Sequence, residues 1–400
     1  MNSTTEQKKT LIVAALSMVA VALLWLIYAS PVWWVSLTAP NYPAEAFPDG
    51  VRIEFHMNGV FNGCRKIEKV EIQEDEALDC VHEMDTINHY VGMYPIAAGG
   101  PIERGFSQFL MTLLAIMVLG FACKKPRVRL LIMALGFSGL VGWMYATIYG
   151  DDGIQLENKQ YLTSLVNAID LESTKSGDHG GGELSAGEAM LQRLRKSLEE
   201  SEKREEQAQH KEEAREGDDK ASKEQLIATL RSSFERDTSM RAPDEQWTGS
   251  GYQVLTWHYG KNLGKYFNEP AKIMPMVDTL RLFVHLIFFA LIAAMLFLLW
   301  AARKNGGLFF WLLVLVPMAL PLFFIMDYSA WLWWFGHNLN EMGAFSVKPF
   351  MPTVFGDGKV AQFATHSYPS LGFGLMMLLS LVLAAAALVR MAQFKNDARG

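Results

Sequence analysis

Cysteine is nearly absent from this chain, with three in 400 residues. No two are spaced as C-x-x-C, which removes the common thiolate zinc patterns and the haem-attachment motif. A Walker loop, H-E-x-x-H and G-x-S-x-G are missing as well, so no catalytic residue is assigned and a non-enzyme is expected. The net charge of −6 is concentrated in one polar segment. No basic face marks a nucleic-acid surface, and none is expected as a partner. What the chain has in quantity is long apolar sequence.

Six apolar stretches, at residues 11–28, 106–123, 130–148, 277–302, 308–326 and 371–389, reach or approach the roughly 20 residues that cross a bilayer as helix. Basic residues flank alternate ends: Lys8 and Lys9; Lys124, Lys125, Arg127 and Arg129; Arg303 and Lys304; Arg390, Lys395 and Arg399. The positive-inside rule places all four clusters in the cytoplasm. The expected fold class is therefore mainly α: a polytopic protein with about six transmembrane helices, both termini inside, in a bacterial cytoplasmic membrane. Trp25, Trp33, Trp34, Trp143, Trp331, Trp333 and Trp334 fall near the outer interface, where amphipathic rings prefer to sit. The first stretch is expected to stay as an anchor, because Ala29-Ser30-Pro31 is a poor cleavage site.

This divides the chain into an anchor (1–29), a small periplasmic α/β module (30–105) and a transmembrane hairpin (106–149). A periplasmic segment (150–276), a second hairpin (277–327), a further periplasmic segment (328–370) and a last helix with its tail (371–400) follow. In the first module, Val51-Arg52-Ile53-Glu54-Phe55 and Val70-Glu71-Ile72 alternate as half-buried strands do, with Asn62-Gly63 as a turn signal between them. Cys64 and Cys80 lie where a periplasm permits a disulfide, which would stabilise the module by roughly 3 kcal/mol; a thiolate metal pair is the alternative. Residues 191–220 hold ten acidic and eight basic side chains and read as a solvated helical insertion. Leu226, Ile227, Leu230 and Phe234 then form a short amphipathic face.

Trp257-His258-Tyr259-Gly260-Lys261-Asn262-Leu263 is matched by Trp333-Trp334-Phe335-Gly336-His337-Asn338-Leu339. Each copy runs eight further residues to a lysine, Lys272 or Lys348. The pattern W-x-[YF]-G-x-N-L reads as a duplicated hairpin device. Its histidine survives only as His337, because Lys261 is a poor metal ligand while protonated.

All nine histidines fall in the outward segments or near the outer end of a span. The short cytoplasmic loops explain most of that asymmetry. His89 and Met93 are four residues apart, a soft-to-borderline ligand pair suited to copper, with Gly92 favouring a bend between them. His337 is the third candidate, and copper, as Cu(I), is the expected metal. His285 and Asp327 are ionisable groups close to or within spans, and Pro317 with Pro321 predicts a broken helix. These features support an alternative reading as a secondary transporter. A non-catalytic assembly or sensor subunit that uses the charged insertion to grip a partner is a further alternative.

The segments from Ala39-Pro40-Asn41-Tyr42-Pro43 to Asn88-His89-Tyr90-Val91-Gly92-Met93, and from Tyr328 to Pro369 with Gly336-His337-Asn338-Leu339 and Lys348-Pro349-Phe350, resemble a family of multi-span membrane proteins. That family is encoded in nitrous-oxide reductase gene clusters, beside a copper chaperone. The resemblance covers about half of the chain and leaves out the charged insertion. It implies copper supply to a periplasmic cuproenzyme, with the bilayer and a copper chaperone or the cuproenzyme as partners. It carries His89, Met93 and His337 over as the matching positions.

Overall fold

A computed structural model describes residues 3–65, 79–169, 215–344, 347–360 and 362–397. Helix α1 (Ser3–Ala29) leads directly into strand β1 (Trp33–Thr38), followed by the hairpin β2 (Val51–His56) and β3 (Gly59–Asn62). Helices α2 (Cys80–Tyr90), α3 (Pro101–Gly105), α4 (Ser107–Ala122), α5 (Pro126–Tyr149) and α6 (Lys159–Ala168) come next. Then come α7 (Arg215–Arg236), α8 (Gly251–Leu263) and α9 (Pro270–Ala301). The chain finishes with α10 (Leu312–Met318), α11 (Leu320–His337), β4 (Gly356–Val360), β5 (Phe363–Pro369) and α12 (Leu371–Asp397).

Among the described residues, four helices are long and apolar enough to cross a membrane: Glu6–Ala29, Pro126–Tyr149, Pro270–Ala301 and Leu371–Lys395. The pair Leu308–Met318 and Leu320–His337 passes the same test together but is bent by 61°. The bend has the expected cause: Pro317 and Pro321 each remove an N–H donor and crowd the preceding turn. Helix α4, with 16 residues, is apolar but shorter.

At the end of the bundle remote from the strands, two arginines are wholly buried, which requires strong compensation. Arg129 donates from Nε and Nη2 to Ala302 O, at 2.8 and 2.6 Å, and from Nη2 to Asn305 Oδ1 at 2.9 Å. Arg390 Nη2 donates to Phe121 O and Ala122 O at 3.0 and 2.7 Å. Each guanidinium thus satisfies the carbonyls left open at a helix C-terminus, at the negative end of its dipole.

The strands form one antiparallel sheet in the order β3-β2-β1-β5-β4. The expectation of a module confined to residues 30–105 is therefore too narrow: β4 and β5, from the segment before the last helix, complete it. Trp33 explains part of the pairing. It is 2% exposed, donates from Nε1 to Ser367 Oγ at 2.9 Å, and packs edge-on against Phe373 and beside Tyr328. Trp33 and Trp34 therefore belong to a strand rather than simply to an interfacial belt. Ser370 N donates to Val32 O and Gly372 N to Pro31 O, so α1–β1 and β5–α12 run side by side through the junction.

The β2–β3 turn is Met57-Asn58, with His56 opposite Gly59; Asn62-Gly63 ends the hairpin rather than turning it. Val70-Glu71-Ile72 and most of the charged run lie outside the described residues. Cys64 and Cys80 form a disulfide that ties the end of β3 to the start of α2. Leu230 and Phe234 of α7 are fully buried, as their amphipathic spacing predicts.

Candidate functional site

Helix α2 starts at Asp79, whose carboxylate accepts from the Val81 and His82 amides at 3.0 and 3.1 Å, a standard N-cap. It stops at Tyr90, so His89 and Met93 do not share a helical face. The chain then turns tightly: Gly92 N donates to His89 O at 2.9 Å, and Met93 N to Asn88 O at 3.0 Å. Gly92 has φ +83°, a left-handed conformation that strains any residue with a Cβ.

Against this turn lies the loop after the second motif copy. Asn340 N donates to Gly92 O at 2.7 Å, and the Gly343 backbone packs on Gly92. Asn340 is buried. It donates from Nδ2 to Glu269 Oε2 at 2.6 Å and to the Tyr94 hydroxyl at 3.3 Å, while its Oδ1 accepts from Met342 N at 2.9 Å. Two stretches far apart in sequence, both singled out for soft ligands, are thus fastened backbone to backbone.

The three candidate ligands differ in their surroundings. The His89 ring stacks on Tyr266 and lies beside Phe267, with both centroids at 5.0 Å, and its buried Nδ1 has no hydrogen-bond partner. An unpartnered buried imidazole nitrogen is costly unless something else occupies it, which makes it an open donor for a cation or a water. Met93 is 4% exposed, within the apolar core. His337 is exposed, stacks on Trp333 at 4.5 Å and donates from Nδ1 to Trp333 O at 2.8 Å, leaving Nε2 for another partner. The residues therefore fit copper in part, with one open buried nitrogen, one exposed nitrogen and a thioether still committed to packing. Among the described residues, no three His, Cys, Asp or Glu side chains gather in a metal-binding group.

Other histidines have structural tasks. His258 is 3% exposed and bonds through Nε2 to Leu165 O at 2.9 Å; burial pushes its pKa down to about 4, so it is neutral at pH 7. His285 stacks between Tyr149 and Tyr252 and pairs through Nδ1 with the Tyr149 hydroxyl at 2.7 Å. His366 pairs with Asp357 at 2.7 Å on the exposed outer hairpin.

A second feature was only half legible in the sequence. A cavity of about 290 Å³ lies where the bent helix α11 meets α3, α4, α9 and the β2–β3 hairpin. Leu110, Ile287, Leu291 and Leu320 make its lower wall apolar, and Asp327, Glu103, Arg104 and His56 also line it. The Asp327 and Glu103 carboxyl groups both line this space. Trp331 Nε1 donates to Glu103 Oε1 at 3.3 Å. The Arg104 guanidinium is occupied by Ala97 O and Gly100 O, at 2.7 and 3.2 Å. His56 Nδ1 pairs with Gln160 Nε2 at 3.2 Å, and burial lowers its pKa to about 4. The neutral ring accepts at Nδ1 and so carries its proton on Nε2. Asp327 was a candidate from sequence. Glu103 and His56 were not, because each looks like an ordinary polar residue near a span or in a strand.

Comparisons of the chain with family models, with curated proteins and with solved structures give no match.

Proposed function

We propose that this chain is an accessory protein of the bacterial cytoplasmic membrane that receives copper at its outer face and assists maturation of a periplasmic cuproenzyme such as nitrous-oxide reductase. The carrying observation is the Gly92–Asn340 junction, which joins the His89–Met93 turn to the loop following His337. His89 Nδ1 is the first ligand, open and buried. A site with few fixed ligands suits cargo that must be passed on, and Cu(I) tolerates low coordination. In this reading the four long helices, the bent pair and α4 make six crossings. The buried Arg129 and Arg390 mark the cytoplasmic end and the sheet lies in the periplasm.

The test is Cu(I) titration of the full-length protein in detergent. The wild type is expected to bind about one equivalent, and His89→Ala combined with His337→Ala to bind none. Met93→Leu, which keeps the packing, is expected to weaken binding without changing thermal stability. Unchanged affinity in the double variant would sink the copper reading.

The 61° break between α10 and α11 favours a second reading, a secondary transporter with Asp327 on its path. Its test is flux into proteoliposomes, expected to be lost in Asp327→Asn if transport is the function.

A further inference from the structure

The cavity beside α11 is not used by the copper reading and calls for its own occupant. Its lower wall is made by helices that the apolar sequence places in the membrane, Leu110 from α4, Ile287 and Leu291 from α9, and Leu320 from α11. These residues offer a lipid-soluble tail an apolar surface at membrane depth. Its upper part holds the polar groups: the Glu103 and Asp327 carboxyl groups, Arg104 and His56. Phe55, Phe106, Phe324, Trp331 and Phe335 line the same space, as side chains suited to stacking on a flat ring.

The polar inventory narrows the head group. Two carboxyl groups in one cavity offer acceptor oxygens, so they select a head group that donates. His56 offers an N–H from Nε2, because its Nδ1 is taken by Gln160. Arg104 is partly committed, with Nε and Nη2 donating to the Gly100 and Ala97 carbonyls. A head that both donates and accepts through hydroxyl oxygens matches this set. At about 290 Å³ the cavity falls just below the roughly 300–1,000 Å³ range of drug-sized ligand pockets, which suits one ring rather than a phosphate with two chains.

We propose that this cavity binds a membrane-soluble hydroquinone, with its ring among the aromatic side chains, one hydroxyl on the Glu103–Asp327 pair and its isoprenoid tail lying between α4, α9 and α11. An ionisable side chain on an apolar helix is costly unless it has such a partner. Hydroquinone binding stands independently of copper, so either can fail alone.

The test uses the full-length protein in phosphatidylcholine nanodiscs with a photoactivatable hydroquinone bearing a short isoprenoid tail. Saturable labelling is expected within residues 99–106 and 320–335, with displacement by the unlabelled tailed hydroquinone. Asp327→Asn and Glu103→Gln are each expected to weaken displacement about tenfold, the scale of a lost hydrogen bond to a charged group. Leu291→Trp and Ile287→Trp, which fill the cavity from α9, are expected to abolish labelling while the thermal unfolding midpoint in detergent stays close to wild type, a check that these variants are folded. Labelling that does not saturate, or that survives both filling variants, would overturn the site. Displacement by phosphatidylethanolamine but not by hydroquinone would overturn the quinol assignment in favour of a lipid head group.

Discussion

The two copies of W-x-[YF]-G-x-N-L share a local shape and almost nothing else. Both sit at the C-terminal end of a helix, α8 for the first and α11 for the second. In the first copy Trp257 is 4% exposed and donates from Nε1 to Asp237 Oδ2 at 2.9 Å, and Lys261 pairs with Asp237 Oδ1 at 3.0 Å. In the second copy Trp333 is 52% exposed and lies flat on His337. The glycines differ in the same sense: Gly260 faces side-chain atoms of Val277 and Met240, whereas Gly336 lies directly against the Phe350 carbonyl oxygen. The asparagines differ too. Asn338 Nδ2 bonds to Trp334 O at 2.9 Å, but both polar atoms of the buried Asn262 side chain have no partner. A repeated sequence here encodes a way of ending a helix; burial and chemistry come from what packs against it.

The widest predicted separation is at the tryptophans. Asp237→Ala leaves the buried Trp257 and Met240 N–H groups without their acceptor and Lys261 without its partner, and is expected to cost about 2–4 kcal/mol. Trp333→Ala, at an exposed position, is expected to cost no more than about 1 kcal/mol. Thermal unfolding of the two variants in detergent measures the gap, and equal losses would break the comparison.

Asp237 also predicts a pH dependence. Burial would raise its pKa, but hydrogen bonds from Ser239, Trp257 and Lys261 and the Lys261 charge outweigh that, and the net shift is downward. A depressed carboxyl contributes stability that is present above its unfolded pKa and is lost as pH falls through the folded one. The wild-type midpoint should fall on acidification below the ordinary aspartate range, more steeply than that of Asp237→Asn. Parallel profiles would refute this.

Smaller effects come next. Gly336→Ala drives a methyl group into the Phe350 carbonyl and is expected to cost about 1–3 kcal/mol. Gly260→Ala meets only Val277 and Met240 side chains and should come out near neutral, helped by alanine's better helix propensity. The finest test is one of sign, because Asn262→Leu removes two unpartnered buried polar atoms while Asn338→Leu breaks a bond. The first is expected to stabilise by up to about 1 kcal/mol and the second to destabilise by a similar amount. Changes of the same sign would show that the two asparagines are equivalent after all.

What could be read from the sequence followed the range of the interactions. The apolar helices, the proline break and the Leu230–Phe234 face are local patterns; among the described residues four of the six expected spans are single long helices, a fifth is the bent pair and the sixth, α4, is shorter. The Cys64–Cys80 staple was one of two readings left open by the cysteine positions. The sheet was legible only at β2, because β1 finds its second neighbour more than three hundred residues downstream and its tryptophans resemble an interfacial belt. The His89 turn was located, but its setting was hidden: the rings of Tyr266 and Phe267 and the backbone of Asn340 come from other segments. Glu103 was missed because nothing near it in sequence says that it meets Asp327.

The Trp33–Ser367 bond joins residues separated by 334 positions. Strand β1 leaves the ribosome more than three hundred residues before its partner β5. Throughout that interval the β1–β3 hairpin carries an open strand edge, which other chains can pair with and proteases can reach. Strand β5 and helix α12 act as a closing clasp, so a chain that stops short of them leaves this sheet unlatched. Whether synthesis has reached β5 is in this way recorded in the shape of residues made more than three hundred positions earlier.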